Sequence, residues 1–155
     1  MDLKKLQELV ELSAQQVYEK DQVLITLKGN EQSIVFRFGL YLNQLLESEG
    51  LLQNGLCLDS EYNKLEEDPK RLGTDLIRPD LLLHKRLCQA ENLLAIECKR
   101  NKPNDRHDLH KLKQLTLDPD YKYQLGCFIN FTQQQPEVTY IQNGKVTENL
   151  AKVIV

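Results

Sequence analysis

The chain has 155 residues and a formal net charge of −3, with 41% hydrophobic and 28% charged residues. This length buries a full core as one domain, residues 1–155, and the composition is globular. An acidic total is not the footprint of a protein that coats nucleic acid nonspecifically; no run approaches the ~20 apolar residues of a membrane span, and no apolar signal segment opens the chain, so the expected location is the cytoplasm, with no membrane partner.

Residues 2–19 carry Leu3, Leu6, Val10 and Val17 at helical spacing, with Leu9 and Ala14 widening the stripe, and predict an amphipathic helix. Its apolar face packs on the core by default, and a homodimer contact stays open. Val23–Leu27 reads as a short strand or an extended link, and Gly29-Asn30 opens the next helix. That helix, Glu31–Glu49, sets Val35, Phe38, Leu42 and Leu45 on one face and Phe36 and Leu40 on the other, so it is expected to pack on two layers. Four residues before Val35 stands Glu31. Its carboxylate either interacts with the helix dipole or points at a site. Arg37 falls between the faces.

Gly50 and Asn54-Gly55 end the helix, and Leu56–Asn63 alternates as a two-faced strand. Lys64–Thr74, with Pro69 and Gly73, reads as an exposed loop. The short apolar runs Leu81–Leu83 and Leu93–Ile96 predict buried strands. Their link, Lys85–Asn92, suits a hairpin and is too short for a helical crossover. Pro103-Asn104-Asp105 starts a helix, capped by Asn104 or Asp105, with Leu109, Leu112 and Leu115 on its buried side. Asp108 and Lys111, three apart, can pair with each other. Asp118-Pro119-Asp120 ends that helix and Tyr123–Phe131 is a further buried strand. Val138–Ile141, Asn143-Gly144 and Lys145–Val146 form a hairpin signal. Asn149–Val155 is too short to assign.

The chemistry concentrates between Arg78 and Arg100. Asp80 opens the first apolar run, after Pro79. Glu97 closes the second, and Lys99 follows two residues later, on the same face of a strand. On neighbouring antiparallel strands, Asp80 and Glu97 meet at the edge of an apolar sheet. Two carboxylates about 4 Å apart repel by roughly 4 kcal/mol at an effective dielectric of 20. A hard divalent cation such as Mg²⁺ removes that penalty and prefers oxygen ligands. The same residues also fit an ordinary hairpin, with Asp80 in a turn and Glu97 paired to Lys99. Charge is uneven nearby: Lys99, Arg100, Lys102, Arg106, Lys111 and Lys113 face only Asp105 and Asp108 between residues 99 and 113. Such a local basic face can meet phosphates although the chain is acidic. The cysteines, Cys57, Cys88, Cys98 and Cys127, show no C-x-x-C spacing, so they are expected to be reduced thiols, and no zinc site built from them is expected.

The order helix, three strands, helix, strand, with Pro79-Asp80 followed by Glu97-Cys98-Lys99, resembles the PD-(D/E)xK nuclease superfamily, the restriction-endonuclease-like fold. Glu31 stands on the preceding helix and Asp108–Lys111 on the following one. The resemblance is strongest to a group of small proteins with E…R…YL, EYN, PD and ExK signatures. Here these are Glu31, Arg37, Tyr41-Leu42, Glu61-Tyr62-Asn63, Pro79-Asp80 and Glu97–Lys99. It covers roughly residues 29–132, leaving the N-terminal helix and the C-terminal hairpin outside.

The resemblance implies an α/β domain with a mixed central sheet flanked by helices, and metal-dependent phosphodiester hydrolysis, with DNA ahead of RNA as substrate. Asp80 and Glu97 would hold Mg²⁺, for which Mn²⁺ would substitute. Glu31 would be a further ligand, direct or through water, and the Cys98 backbone carbonyl an additional oxygen. Lys99 would orient the attacking water and stabilise charge on the phosphate. Arg37, Lys102 and Lys111 are candidate phosphate contacts, each also explained as a solvated charge. The rival reading is a non-catalytic nucleic-acid- or protein-binding module that retains the fold. The acidic trio favours the enzyme; the acidic net charge and the lack of a separate DNA-reading domain favour the module.

Overall fold

Asp2 starts the first helix, its carboxylate accepting from the Lys4 amide at 3.0 Å. The structure is a computed structural model that describes residues 1–29, 31–62, 69–73 and 75–150. Helix α1 (Leu3–Lys20) buries Leu6, Leu9, Val10, Ala14 and Val17, the stripe its spacing predicts. A short helix α2 (Gln22–Thr26) follows, where an extended segment was expected from Val23–Leu27. The backbone satisfies itself locally there, Leu27 N–H donating to the Val23 carbonyl at 3.0 Å, so no sheet partner is needed. Only Ile25 of α2 is buried.

Helix α3 (Glu31–Ser48) buries Ile34, Phe38, Gly39, Tyr41, Leu42 and Leu46. Phe36, expected on a second packed face, is instead 67% exposed. Strand β1 (Leu56–Ser60) is shorter than expected, and Asn63 lies outside the described residues. The segment expected as an exposed loop includes a two-stranded hairpin, β2 (Arg71–Leu72) with β3 (Asp75–Leu76), and a buried Lys70 whose ammonium donates to Tyr123 Oη at 2.9 Å. Residues 64–68 and 74 of that segment lie outside the described residues. Strands β4 (Leu81–Lys85) and β5 (Leu94–Arg100) pair antiparallel, as the hairpin-length link requires. Helix α4 (Arg106–Leu117) is capped by Asp105, whose Oδ1 accepts from the Asp108 amide at 3.1 Å.

β6 (Leu125–Phe131) is buried along its whole length and lies parallel to β5, with α4 as the crossover between them. β7 (Pro136–Gln142) and β8 (Lys145–Thr147) complete the hairpin. The six-stranded order is β1-β4-β5-β6-β7-β8, mixed because only β5 and β6 run parallel within it. The protein is therefore α/β, with four helices among the described residues about a mixed sheet.

Each face of the sheet has its own core. Leu6, Phe38, Leu42, Leu83, Ile96 and Phe131 pack with α1 and α3 on one side. Leu82, Leu112, Leu115, Tyr123 and Phe128 pack with α4 on the other. Each fully buried leucine contributes about 1.5–3 kcal/mol through the hydrophobic effect. Gly126 lets α4 lie close on β6, since a Cβ there would meet Thr116 at 3.3 Å and Leu112 at 3.4 Å. Among the described residues no helix is long and apolar enough to cross a membrane.

Candidate functional site

Strand alternation sends Leu94, Ile96 and Cys98 into the α1–α3 core, and Glu97 and Lys99 to the α4 side. The β4–β5 register pairs Leu81 with Ile96. One step further sets Asp80 opposite Glu97, the juxtaposition the sequence predicts. Asp80 Oδ2 accepts from the Cys98 amide at 2.8 Å, which ties the start of β4 to β5.

α4 contributes two residues from its first turns. The Lys111 ammonium donates to Glu97 Oε1 at 2.6 Å and to Asp108 Oδ1 at 3.3 Å. Lys99 Nζ lies 3.1 Å from Asp108 Oδ2 and 3.6 Å from Glu31 Oε1. From the N-terminus of α3, Glu31 reaches the end of β5, where its Oε2 accepts from the Arg100 amide at 3.2 Å. A continuous chain of charge results: Glu97, Lys111, Asp108, Lys99, Glu31, with Asp80 beside Glu97. Glu97 and Asp108 are buried, at 2% and 4% exposure.

The electrostatics follow from burial with unequal charges. Loss of water, and then the neighbouring Asp80 carboxylate, push Glu97 up to about 8. Burial raises Asp80 too, opposed by the Cys98 N–H bond and assisted by Asp108. Burial works against the charge on Lys99 and Lys111. The carboxylates outweigh it, Asp108 and Glu31 for Lys99, Glu97 and Asp108 for Lys111, so both ammonium groups are held above their ordinary range.

Four carboxylates against two ammonium groups leave a formal charge of −2 when all are ionised. A divalent cation matches that deficit, and the all-oxygen donor set is the kind that Mg²⁺ and Mn²⁺ take. The carboxylates do not form a ready-made ligand group, however. Among the described residues, the three donors whose atoms all lie within 4.8 Å of one another are Cys57, Asp59 and His84, away from this cluster. Lys111 stands between Glu97 and Asp108, and Lys99 between Asp108 and Glu31.

The remaining candidates fall elsewhere. Arg37 is engaged at the α1–α2 junction, its Nε donating to both Asp21 oxygens at 3.0 and 3.1 Å and its Nη2 to Tyr41 Oη at 2.7 Å. Lys102 is exposed just beyond β5, its backbone amide donating to Asn130 Oδ1 at 2.9 Å. Glu61 N–H donates to the Asp80 carbonyl at 3.1 Å, which fixes the chain beside the site. Tyr62 stacks edge-on against His84, with ring centroids 4.6 Å apart. Next to Asp80 a cleft of about 340 Å³ opens between α3 and β1, lined by Phe36, Gly39, Leu40, Leu58 and Leu81, with Gln32, Asn43, Ser60 and Glu61 as polar groups.

The sequence singles out Asp108 and Lys111 as a pair but not their contacts with Lys99 and Glu97. The signal was available. Each stands four residues before a buried leucine, Leu112 or Leu115, just as Glu31 stands four before Val35. The Asp59–His84–Arg86 group was missed, although alternation along β1 and β4 puts Asp59 and His84 on one face.

No family model matches the chain. No curated protein matches it either. A solved structure described as "Crystal structure of SSO0001" is similar at 16% identity, over 88% of this chain and 66% of that one, with a TM-score of 0.36.

Proposed function

We propose that the protein is a metal-dependent nuclease with a restriction-endonuclease-like core formed by α3, β1, β4, β5, α4 and β6, cleaving DNA ahead of RNA. The observation that carries this reading is the placement of Asp80 opposite Glu97 on adjacent strands, with Lys99 on the Glu97 face and the whole group short of two positive charges when its carboxylates are all ionised. Asp80 and Glu97 would hold Mg²⁺ or Mn²⁺, with Glu31 and the Cys98 carbonyl as further oxygens. The cation supplies a Lewis acid that neutralises charge on the phosphate and makes water a better nucleophile.

The chain's own residues do the rest. Lys99, 22% exposed in its side chain, can turn from Asp108 and Glu31 towards a phosphate oxygen and the attacking water. Lys111 holds the Glu97 carboxylate in place. The cleft beside Asp80 is mostly apolar, which suits a base or sugar next to the scissile phosphate, and exposed Phe36 offers a stacking surface. Among the described residues no carboxylate pairs with Lys102, where a phosphate of the flanking strand would meet it.

The test is purified protein with Mg²⁺ or Mn²⁺ against linear, circular, branched and single-stranded DNA and RNA. Cleavage that chelator abolishes and Asp80→Ala removes is expected. Tight, metal-independent binding without cleavage would instead favour the non-catalytic module.

A further inference from the structure

A second group of ligand-type side chains stands on β1 and β4. Cys57 and Asp59 are two apart on β1 and so share one face, and His84 is the register partner of Cys57 on β4. His84 Nε2 lies 3.0 Å from Asp59 Oδ2, and Cys57 Sγ lies 3.5 Å from the same oxygen. All three donor atoms fall within 4.8 Å of one another. We propose that Cys57, Asp59 and His84 form a second metal site, for a Zn²⁺-type cation, distinct from the carboxylate cluster.

The distances fit that class of ion. Bonds of about 2.0 Å to nitrogen and oxygen and about 2.3 Å to sulfur, at tetrahedral angles, set oxygen and nitrogen about 3.3 Å apart and sulfur and oxygen about 3.5 Å apart. The nitrogen–oxygen pair, at 3.0 Å, opens by a few tenths of an ångström and the sulfur–oxygen pair, at 3.5 Å, already matches, while sulfur and nitrogen lie within 4.8 Å and close on the ion as it binds. One sulfur, one nitrogen and one oxygen suit Zn²⁺ and disfavour Mg²⁺, which takes oxygen alone. Water fills the fourth position. On binding, Cys57 releases its thiol proton to solvent and His84 coordinates through Nε2 with its proton on Nδ1.

Arg86 does not close the site. It donates through Nε to Oδ2 at 2.8 Å and through Nη2 to Oδ1, yet its side chain is 61% exposed. A cation on Oδ2 displaces the first contact and leaves the second, an outer-shell bond that orients the carboxylate. His84 is 2% exposed and braced by Tyr62, so its ring is already held in place. The site would clamp β1, an edge strand, onto the strand that carries Asp80 at its start.

The full chain, stripped with chelator, is titrated with Co²⁺ and then with Zn²⁺. The wild type should develop a thiolate-to-cobalt charge-transfer band with intense visible bands, and Zn²⁺ should abolish both. Cys57→Ser should remove the thiolate band, and His84→Gln should weaken Co²⁺ binding by about tenfold or more. Cys88→Ser and Asp80→Asn should leave the thiolate band unchanged, which separates this site from the proposed nuclease centre. The wild-type titration decides even if a variant folds poorly: a folded wild type without a thiolate–cobalt band overturns the proposal. So does a band that survives in Cys57→Ser or disappears in Asp80→Asn.

Discussion

Replacing Asp80 with asparagine in the metal-free protein tests whether the carboxylates work against one another. Glu97 is pushed from its ordinary 4.5 up to about 8, by burial first and Asp80 second. The folded state therefore keeps a proton that the unfolded chain has lost. Stability is fully present below about 4.5 and is lost as pH rises through about 8. At about 1.4 kcal/mol per unit, the most that Glu97 can remove is about 4–5 kcal/mol. Burial persists in Asp80→Asn, so only the Asp80 share returns, and lost attraction to Lys99 and Lys111 offsets part of it. The asparagine oxygen can still accept from Cys98 N–H. The net expected gain is about 1 kcal/mol at pH 8, a rise in Tm of about 2–4 °C for a chain of this size, shrinking towards pH 5. Mg²⁺ or Mn²⁺ should stabilise the wild type, because it binds only the native state, and the variant much less. Thermal melts at several pH values, in chelator and in metal, read all of this. A variant less stable than wild type, with no metal response in either protein, would refute the reasoning.

Lys99→Ala should lose most cleavage but keep metal, since an ammonium is no ligand, whereas Asp80→Ala should lose both; equal metal loss by calorimetry would dissolve that division of roles. Lys102→Ala should flatten the salt dependence of DNA binding by about one unit of slope. Lys111→Ala should leave the slope unchanged and lower stability, because its charge is spent on Glu97 and Asp108; anisotropy across a salt series that shows the opposite ranking would reverse the assignment. Burial pushes buried Lys70 down to about 8, so the native state releases that proton before the unfolded chain does. Wild-type stability should then rise between pH 8 and 10.5, by at most about 3 kcal/mol, and Lys70→Met should lack that rise. Parallel pH curves for the two proteins would contradict it.

The regular parts of the fold are legible because one period dominates each. Leu6, Val10 and Val17 on α1, and Leu112 and Leu115 on α4, are spaced for a single buried face and are buried. The strand pair β4–β5 follows from link length alone. Legibility fails where local bonding competes with pattern. Val23–Leu27 has β-branched residues, but the chain closes a helical turn after Asp21. Phe36 looks like part of a second apolar face, yet it stays exposed beside the cleft. Apolar character alone does not say whether a side chain meets protein or solvent.

In the site, alternation places Asp80, Glu97 and Lys99, because a strand fixes which residues share a face. It does not say which ammonium meets which carboxylate, since that depends on how α4 and α3 are set over the sheet. Arg37 shows the limit. Its partner Asp21 precedes it by sixteen residues, in the bend between α1 and α2, so misreading α2 hides the partner and leaves Arg37 looking like a free cation. Lys111 shows the same in reverse: its charge is already matched before any substrate arrives. On the proposed nuclease reading, a phosphate would draw its positive field from Lys99, once that ammonium turns from Asp108 and Glu31, from Lys102 and from the metal ion. On that reading the electrostatic work would fall at the end of β5, between the N-termini of α3 and α4, rather than along α4.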